Sequence, residues 1–327
     1  MVSATNWVRR HIRGQPFLAG CAVTLLVELV LAIGVALITE PIEDFDLGDG
    51  QGVDGRPRNS CAGSEDALIV AATTGDTDAV ETEIEAGADL NRRVAGVTPL
   101  SCAAGEGDAD VVRLLLDAGA RPTAASLRAA LHILSDAGPC GDEGPGEVYE
   151  TTRLLLEAGA NPNVAWLDPS PLLWVGWEGR ERLTDLLLAH GADPNRGGQV
   201  DSVFIIVALV DLGGCQDAVP TSVLSALPTP RGDQVANLPP LVAAAWAGQV
   251  GSALRLLDAG ADPNLAGDQA FTPLLAAAAR GDQVMVELLL AHGAQPVPMV
   301  RDGVVTPADI ARRGGHHEIA DLLDASG

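Results

Sequence analysis

The stretch Asp168–Arg196 reads DPSPLLWVGWEGRERLTDLLLAHGADPNR, and it contains a complete structural unit in miniature. A turn-forming DPSP opens a short apolar segment that ends at Gly179. A second segment carries leucines at helical spacing and ends in the turn sequence GADPN. The spacing predicts two short helices joined by a tight turn, because apolar residues three and four apart lie on one helical face.

The same pattern recurs along the chain. The Gly-Ala pairs that follow the second segment begin at positions 87, 119, 159, 191, 260 and 293. The prolines that open the first segment stand at 99, 171, 240, 273 and 307. Most intervals are a little over thirty residues, and the longest correspond to two periods. A fixed period of this size predicts a repeat solenoid, in which each unit buries its apolar face against its neighbours.

The repeated residues resemble the ankyrin repeat. One copy has Thr98-Pro99-Leu100, then Ala-Ala, Gly-Asp, three leucines and Gly119-Ala120, and residues 271–294 are similar. The resemblance covers residues 64–327 and implies an all-α solenoid of about eight helix-turn-helix units. We assign the repeats to residues 65–92, 96–122, 123–163, 166–196, 200–232, 237–264, 269–296 and 302–325.

Three of these repeats are irregular. The first lacks Thr-Pro and has an acidic second helix, and the eighth has charged residues in its first helix, as expected of terminal caps. Residues 200–232 lack the signature, but the spacing leaves room for one period. We therefore predict a degenerate fifth repeat there, with its first helix in the apolar run 203–210.

The N-terminal region predicts a membrane anchor. Phe17–Ile38 is 22 residues long with a single charge, Glu28, and about 20 apolar residues span a bilayer as a helix. Three arginines precede this segment and acidic residues follow it. Arginines stay in the cytoplasm, so residues 1–16 are predicted to be a cytoplasmic tail. Residues 39–63 read as an acidic flexible linker.

A cleaved signal peptide is the alternative reading of residues 17–38. Its apolar core is usually shorter, about 7–15 residues, and no clear small-residue cleavage site follows this run. We therefore expect a single-pass protein with the repeats outside the cytoplasm. Abundant Ala, Gly and Arg without lysine is typical of GC-rich coding, which suggests the periplasmic side of a bacterial inner membrane.

Composition limits the function. The net charge is −24, and an acidic body repels nucleic acid and anionic lipid, so we expect a neutral or basic protein partner. The alternative is that the charge only keeps the array soluble. All 20 basic residues are arginine, which excludes Schiff-base and phosphate-loop lysines. We find no catalytic, cofactor or metal-binding motif, and predict a protein that is not an enzyme.

The cysteines predict a disulfide in the part of the chain outside the cytoplasm. Cys140 and Cys215 lie in equivalent, long loops of repeats three and five, and we take them as the candidate pair. Cys102 lies in a helix of small residues and reads as a buried thiol.

The binding surface is predicted from the family resemblance. Ankyrin repeats bind proteins through their turn tips and the inner face of their first helices, where the two residues after the Ala-Ala pair usually point. The positions that we select are Trp166, Trp177, Glu178, Trp246 and Arg280. Exposed Trp and Arg are typical of binding hot spots. The alternative is that Trp177 and Trp246 fill space beside the degenerate fifth repeat.

The sequence therefore predicts a membrane-anchored scaffold that binds a protein partner on the concave face of the array. Two other classes remain. One is a redox-responsive periplasmic accessory factor whose disulfide gates binding. The other is an enzyme that uses the irregular segment 198–236, which has acidic residues and Cys215 but no histidine nearby.

Overall fold

The computed structural model describes residues 61, 64–132, 146–163, 170–200, 236–267, 271–297, 299–300 and 304–326. Within these ranges there are fourteen α-helices and four very short strands, and the all-α repeat solenoid is confirmed. The helices of repeats one to four are α1 Ala67–Thr74, α2 Thr77–Glu85, α3 Pro99–Glu106, α4 Ala109–Asp117, α5 Ala124–His132, α6 Gly146–Glu157, α7 Pro171–Glu178 and α8 Glu181–Ala189.

Three more helix pairs follow, which keep their sequence numbers as repeats six, seven and eight. They are α9 Pro240–Ala247, α10 Val250–Asp258, α11 Pro273–Arg280, α12 Gln283–Ala291, α13 Pro307–Gly314 and α14 His317–Ser326. Two antiparallel strand pairs lie at turns between repeats: β1 Gly198–Val200 with β2 Ala236–Leu238, and β3 Met299–Val300 with β4 Val304–Val305.

Capping side chains and glycines mark the ends of several helices. Thr98 caps α3, its hydroxyl accepting the Ser101 N–H while the Ser101 hydroxyl accepts the Thr98 N–H. Asp108 caps α4 through the N–H of Val111 at 3.0 Å. These side chains satisfy donors that have no partner inside the helix. Gly107 ends α3 at φ 77°, a left-handed conformation that suits glycine.

The core runs between repeats rather than within them. First helices pack in the order α1, α3, α5 and again in the order α7, α9, α11, α13, while second helices pack in one row from α2 to α14. Apolar residues such as Leu115, Leu187 and Leu289 are fully buried in a single extended cluster. Burying one leucine contributes about 1.5–3 kcal/mol, so the stability of each repeat depends on its neighbours.

Repeats four and six stack directly on one another. Helix α7 packs against α9, and α8 against α10. Arg255 of α10 forms ion pairs with Glu181 at 3.0 Å and Asp185 at 2.9 Å of α8. The prediction that a fifth repeat stands between repeats four and six is therefore wrong. Most of residues 200–232 lies outside the described residues, and the strands on either side of them, β1 and β2, pair with each other.

Asparagine side chains form the same hydrogen bonds between repeats four and six as between repeats three and four. The Asn163 amide donates to Gly191 O at 2.7 Å and accepts from Asp193 N at 2.8 Å. The Asn195 amide donates to Gly260 O at 3.1 Å and accepts from Asp262 N at 2.7 Å. These bonds cross 65 and 67 residues of sequence, so the step from repeat four to repeat six has ordinary geometry.

We expect Asn195→Ala and Asn163→Ala to lower the free energy of unfolding by similar amounts, about 1–3 kcal/mol each. Each variant loses two exposed hydrogen bonds, which contribute about 0.5–1.5 kcal/mol apiece. Urea titration of both variants measures this. A measurable loss for Asn163→Ala together with none for Asn195→Ala would contradict direct stacking.

Candidate functional site

The structure describes four of the five residues predicted to contact a partner, and these four lie at the C-terminal ends of first helices. Trp177 and Glu178 end α7, Trp246 is the penultimate residue of α9, and Arg280 ends α11. Trp166 lies outside the described residues, as do Cys140 and Cys215. Since α7, α9 and α11 pack in that order, the four described residues belong to one row of helix ends.

The two tryptophans occupy different environments. Trp177 is half-buried and packs against the cluster formed by Leu173 and Ala243, which joins repeats four and six. Trp246 is only 3% exposed, and its ring centroid lies 5.4 Å from that of Phe271 in repeat seven. Trp246 is therefore a core residue between repeats, and its predicted exposure on a binding face is wrong.

The charged residues of this row lie partly within the array. The Glu178 side chain is 11% exposed, and the nearest Arg180 nitrogen, Nη2, lies 3.8 Å from its Oε2. Burial raises the pKa of the Glu178 carboxyl, while the Arg180 charge acts in the opposite direction. Arg280 is half-buried at the end of α11.

Arg180 is a buried charge that sequence reasoning did not select. It is 2% exposed and stands at the N-cap of α8, without a capping hydrogen bond from its side chain. Repeats one, two and seven have a capping aspartate at this place, Asp76, Asp108 or Asp282. A cation at a helix N-terminus opposes the helix dipole, so the nearby Glu178 carboxylate offsets part of this cost. The replacement of Gly-Asp by Gly179-Arg180 was the available signal.

We expect the free energy of unfolding of Glu178→Gln, relative to that of the native protein, to be higher at pH 7 than at pH 4. The pKa of Glu178 is raised in the folded protein, so the folded protein binds this proton more tightly than the unfolded chain does. The stability that Glu178 contributes is then fully present below its unfolded pKa of about 4.3 and is lost as pH rises through the folded value. Urea unfolding of both proteins at the two pH values measures the difference.

Asp309 provides a control of opposite sign. Its pKa is lowered because it accepts a hydrogen bond from the Thr306 N–H, at 3.0 Å, in the capping box of α13. Asp309→Asn should therefore cost more stability at pH 7 than near pH 2. If Glu178→Gln changed with pH in the same direction as Asp309→Asn, the raised pKa of Glu178 would be wrong.

The possible metal ligands among the described residues are His, Cys, Asp and Glu side chains. Within the described ranges, no group of three or more His, Cys, Asp and Glu residues could hold a metal ion. His190 and His292 lie at helix ends, with Nδ1 at 2.9 and 2.8 Å from the carbonyls of Leu186 and Leu288. These contacts suit their predicted role as helix-terminal residues.

One disulfide is present among the described residues, and it was not predicted. Cys61 and Cys102 are bonded, with their Cα atoms 5.8 Å apart. The prediction that Cys102 is a buried free thiol is therefore wrong, although the residue is buried. Cys61 precedes the first repeat, outside the periodic pattern, so the repeat spacing gave no indication that it would meet α3.

No helix among the described residues is both long enough and apolar enough to cross a membrane. The predicted span at residues 17–38 lies outside those residues.

A stacked array of two-helix units defines a helical repeat protein. A family model described as ankyrin repeats (3 copies) matches residues 46–126 and 241–327, about half of the chain. The chain belongs to the ankyrin repeat family. This family is generally a non-enzymatic scaffold, and ankyrin repeats imply a role in protein–protein interaction.

Two curated proteins are similar in sequence to parts of this chain. Mouse ARF GTPase-activating protein GIT2 is 42% identical over 77 residues, which cover 23% of this chain and 11% of that protein. Mouse ankyrin repeat and SOCS box protein 16 is 32% identical over 238 residues, covering 70% of this chain and 43% of that protein. The chain thus spans less than half of the length of either relative.

A solved structure has a similar fold. The crystal structure of the human ASB11 ankyrin repeat domain matches with a TM-score of 0.53 and 21% sequence identity, covering 79% of this chain and 97% of that one. At this identity the likeness concerns the fold alone.

Proposed function

We propose that the protein is a non-catalytic scaffold that is anchored in a membrane through residues 17–38 and binds a protein partner on the concave face of its ankyrin array. The observation that carries the binding site is the packing order α7, α9, α11, which brings Trp177, Ala247 and Arg280 into one row. Aromatic and arginine side chains are the usual anchors of protein interfaces. Trp246, being buried, supports this row from beneath rather than contacting the partner.

The partner that we propose is neutral or basic. The chain carries a net charge of −24, which favours association with a basic surface and disfavours nucleic acid. Such long-range attraction is screened by salt over about 8–10 Å at physiological ionic strength, so binding should weaken as salt is added.

Photo-crosslinking tests the proposed binding face. A benzophenone amino acid at Ala247, at the end of first helix α9, should give a discrete adduct with the native partner. The matched control is Ala189, an exposed alanine at the end of second helix α8. Adducts from position 189 with none from position 247 would place the partner on the other side of the array.

The proposed location outside the cytoplasm has support in the Cys61–Cys102 disulfide, since such bonds persist in oxidising compartments. Cells producing a variant with alanine at Cys21, Cys140 and Cys215 should be quenched in acid and treated with a maleimide polymer. We expect no mass shift without reduction and two additions after it. Two additions in the unreduced sample would contradict this location.

The second candidate is the redox-responsive accessory factor. A disulfide within the array is the observation that favours it, although the bond joins Cys61 and Cys102 instead of the pair taken from the sequence. Partner capture in the presence and absence of a dithiol separates the two candidates, because a simple scaffold binds equally in both.

A further inference from the structure

The Cys61–Cys102 bond encloses the whole of repeat one. Its partners are 41 residues apart, and helices α1 and α2 lie between them. Both cysteines and Ile69 form a small buried cluster against which Val94 and Val97 pack. The bond therefore ties the chain before repeat one to helix α3 of repeat two.

The second helix of repeat one, α2, is less well packed than the second helix of repeat two. Val80 is the only residue of α2 that is buried, whereas α4 buries Val111, Val112 and Leu115. The nine residues of α2 include four acids and no base. Glu81 and Glu85 repel one another at the i,i+4 spacing, and acids near the C-terminus oppose the helix dipole.

Repeat one packs on repeat two, its neighbour among the described repeats, through α1 against α3 and α2 against α4. A hydrogen bond to an asparagine also joins them, from Arg121 N to the Asn91 side chain at 2.8 Å. The disulfide adds a covalent link to these contacts.

We propose that the Cys61–Cys102 disulfide is a redox-sensitive latch, and that its reduction unfolds repeat one locally while the later repeats stay folded. A dithiol breaks the S–S bond, passing two electrons and two protons to the cysteine sulfurs and becoming a disulfide itself. Opening a loop of this size increases the unfolded population of the enclosed segment on the order of 10³-fold in the chain-entropy estimate. In an array, such a loss is confined to the end repeat.

A surface built from repeat one then exists only in the oxidised protein. Reduction exposes the face of repeat two that α1 and α2 otherwise cover. This inference deepens the redox-responsive candidate, but it does not depend on the identity of the partner or on the membrane location.

Hydrogen exchange on the purified full chain, with and without dithiothreitol, tests the latch. We expect backbone amides of α1 and α2 to exchange at least 100-fold faster after reduction. Amides of α9–α14 should change less than twofold. Slow exchange in α1 and α2 after reduction would overturn the proposal, and so would an equal increase throughout the array.

Variants assign the effect to this bond. Cys61→Ala removes the disulfide without altering helix α3, so it should exchange like the reduced native protein whether or not dithiothreitol is present. The matched variant Cys140→Ala/Cys215→Ala should keep the full response to reduction. A response abolished in that double variant, but retained in Cys61→Ala, would contradict the assignment. Partner capture is a separate measurement, so the hydrogen-exchange result can be interpreted even if the scaffold proposal fails.

Discussion

The Trp246→Ala variant should lose about 3–5 kcal/mol of its free energy of unfolding, the usual cost of truncating a buried tryptophan. The ring is 3% exposed and packs on Phe271 at 5.4 Å between centroids, with the planes inclined at 56°. Tilted aromatic pairs of this kind contribute about 0.5–1.5 kcal/mol beyond the buried area. Urea or guanidinium titration followed by circular dichroism measures the loss.

Two controls separate core packing from other effects. Trp246→Phe keeps an aromatic ring and should cost clearly less than Trp246→Ala. Val284→Ala, at a side chain that is 61% exposed, should change stability by no more than about 0.5 kcal/mol. A Trp246→Ala protein within 1 kcal/mol of the native stability would show that this residue is not a core residue.

This prediction changes how binding should be tested. A double Trp177→Ala/Trp246→Ala variant would confuse loss of the partner with loss of the fold. Trp177→Ala alone is the informative substitution, because Trp177 is half-buried and lies at the end of its helix.

The Leu256→Ala variant should lose about 2–5 kcal/mol, because the side chain is fully buried where repeats four and six meet. A Cβ placed at Gly176 of α7 would lie 3.8 Å from Leu256 Cδ1 of α10. Leu254→Ala on the same helix is the control, since its side chain is 38% exposed and should contribute little.

The contact across this interface can be measured by a double-mutant cycle. Gly176→Leu inserts a large side chain against Leu256 and should cost about 1–3 kcal/mol by overpacking. In a Leu256→Ala background the vacated space receives part of the new side chain, so that cost should fall by at least about 1 kcal/mol. Strict additivity would show that the two residues do not meet.

The sequence predicted the two-helix structure of the seven described repeats well, since that structure depends on neighbouring residues. Gly179 ends the first helix of its repeat, as predicted. The helical spacing of the leucines likewise predicted that the second helices bury one face. These features follow from backbone hydrogen bonding and amphipathic periodicity, both of which are visible within about ten residues.

Features that depend on distant residues were missed. The interval of 69 residues between two Gly-Ala pairs predicts two periods, but spacing along the chain does not show which repeats stack on one another. The structure shows that Asp262 N donates a hydrogen bond to the Asn195 side chain, 67 residues away in the sequence. Cys102 is bonded to Cys61, which lies 41 residues away in a sequence segment with no periodicity.

The candidate site was predicted only in part. The alignment placed Trp177, Trp246 and Arg280 correctly at the ends of first helices. The exposure of these side chains could not be predicted from the repeat pattern, because it depends on how neighbouring repeats fill the space around each side chain. The alanines that surround Trp246 in α9 leave room for the ring to turn inward onto Phe271.

A distance measurement tests the direct stacking of repeats four and six most simply. Spin labels at Ala189 and Asp258, which are equivalent exposed positions on α8 and α10, should be as close as labels at Asp258 and Ala291, on α10 and α12. Cys21, Cys140 and Cys215 are replaced by serine for this purpose. Adjacent helices pack about 8–10 Å apart, so electron paramagnetic resonance should report one interhelix step for both pairs. A separation for the first pair close to twice that of the second would show that another repeat lies between them and would contradict the account.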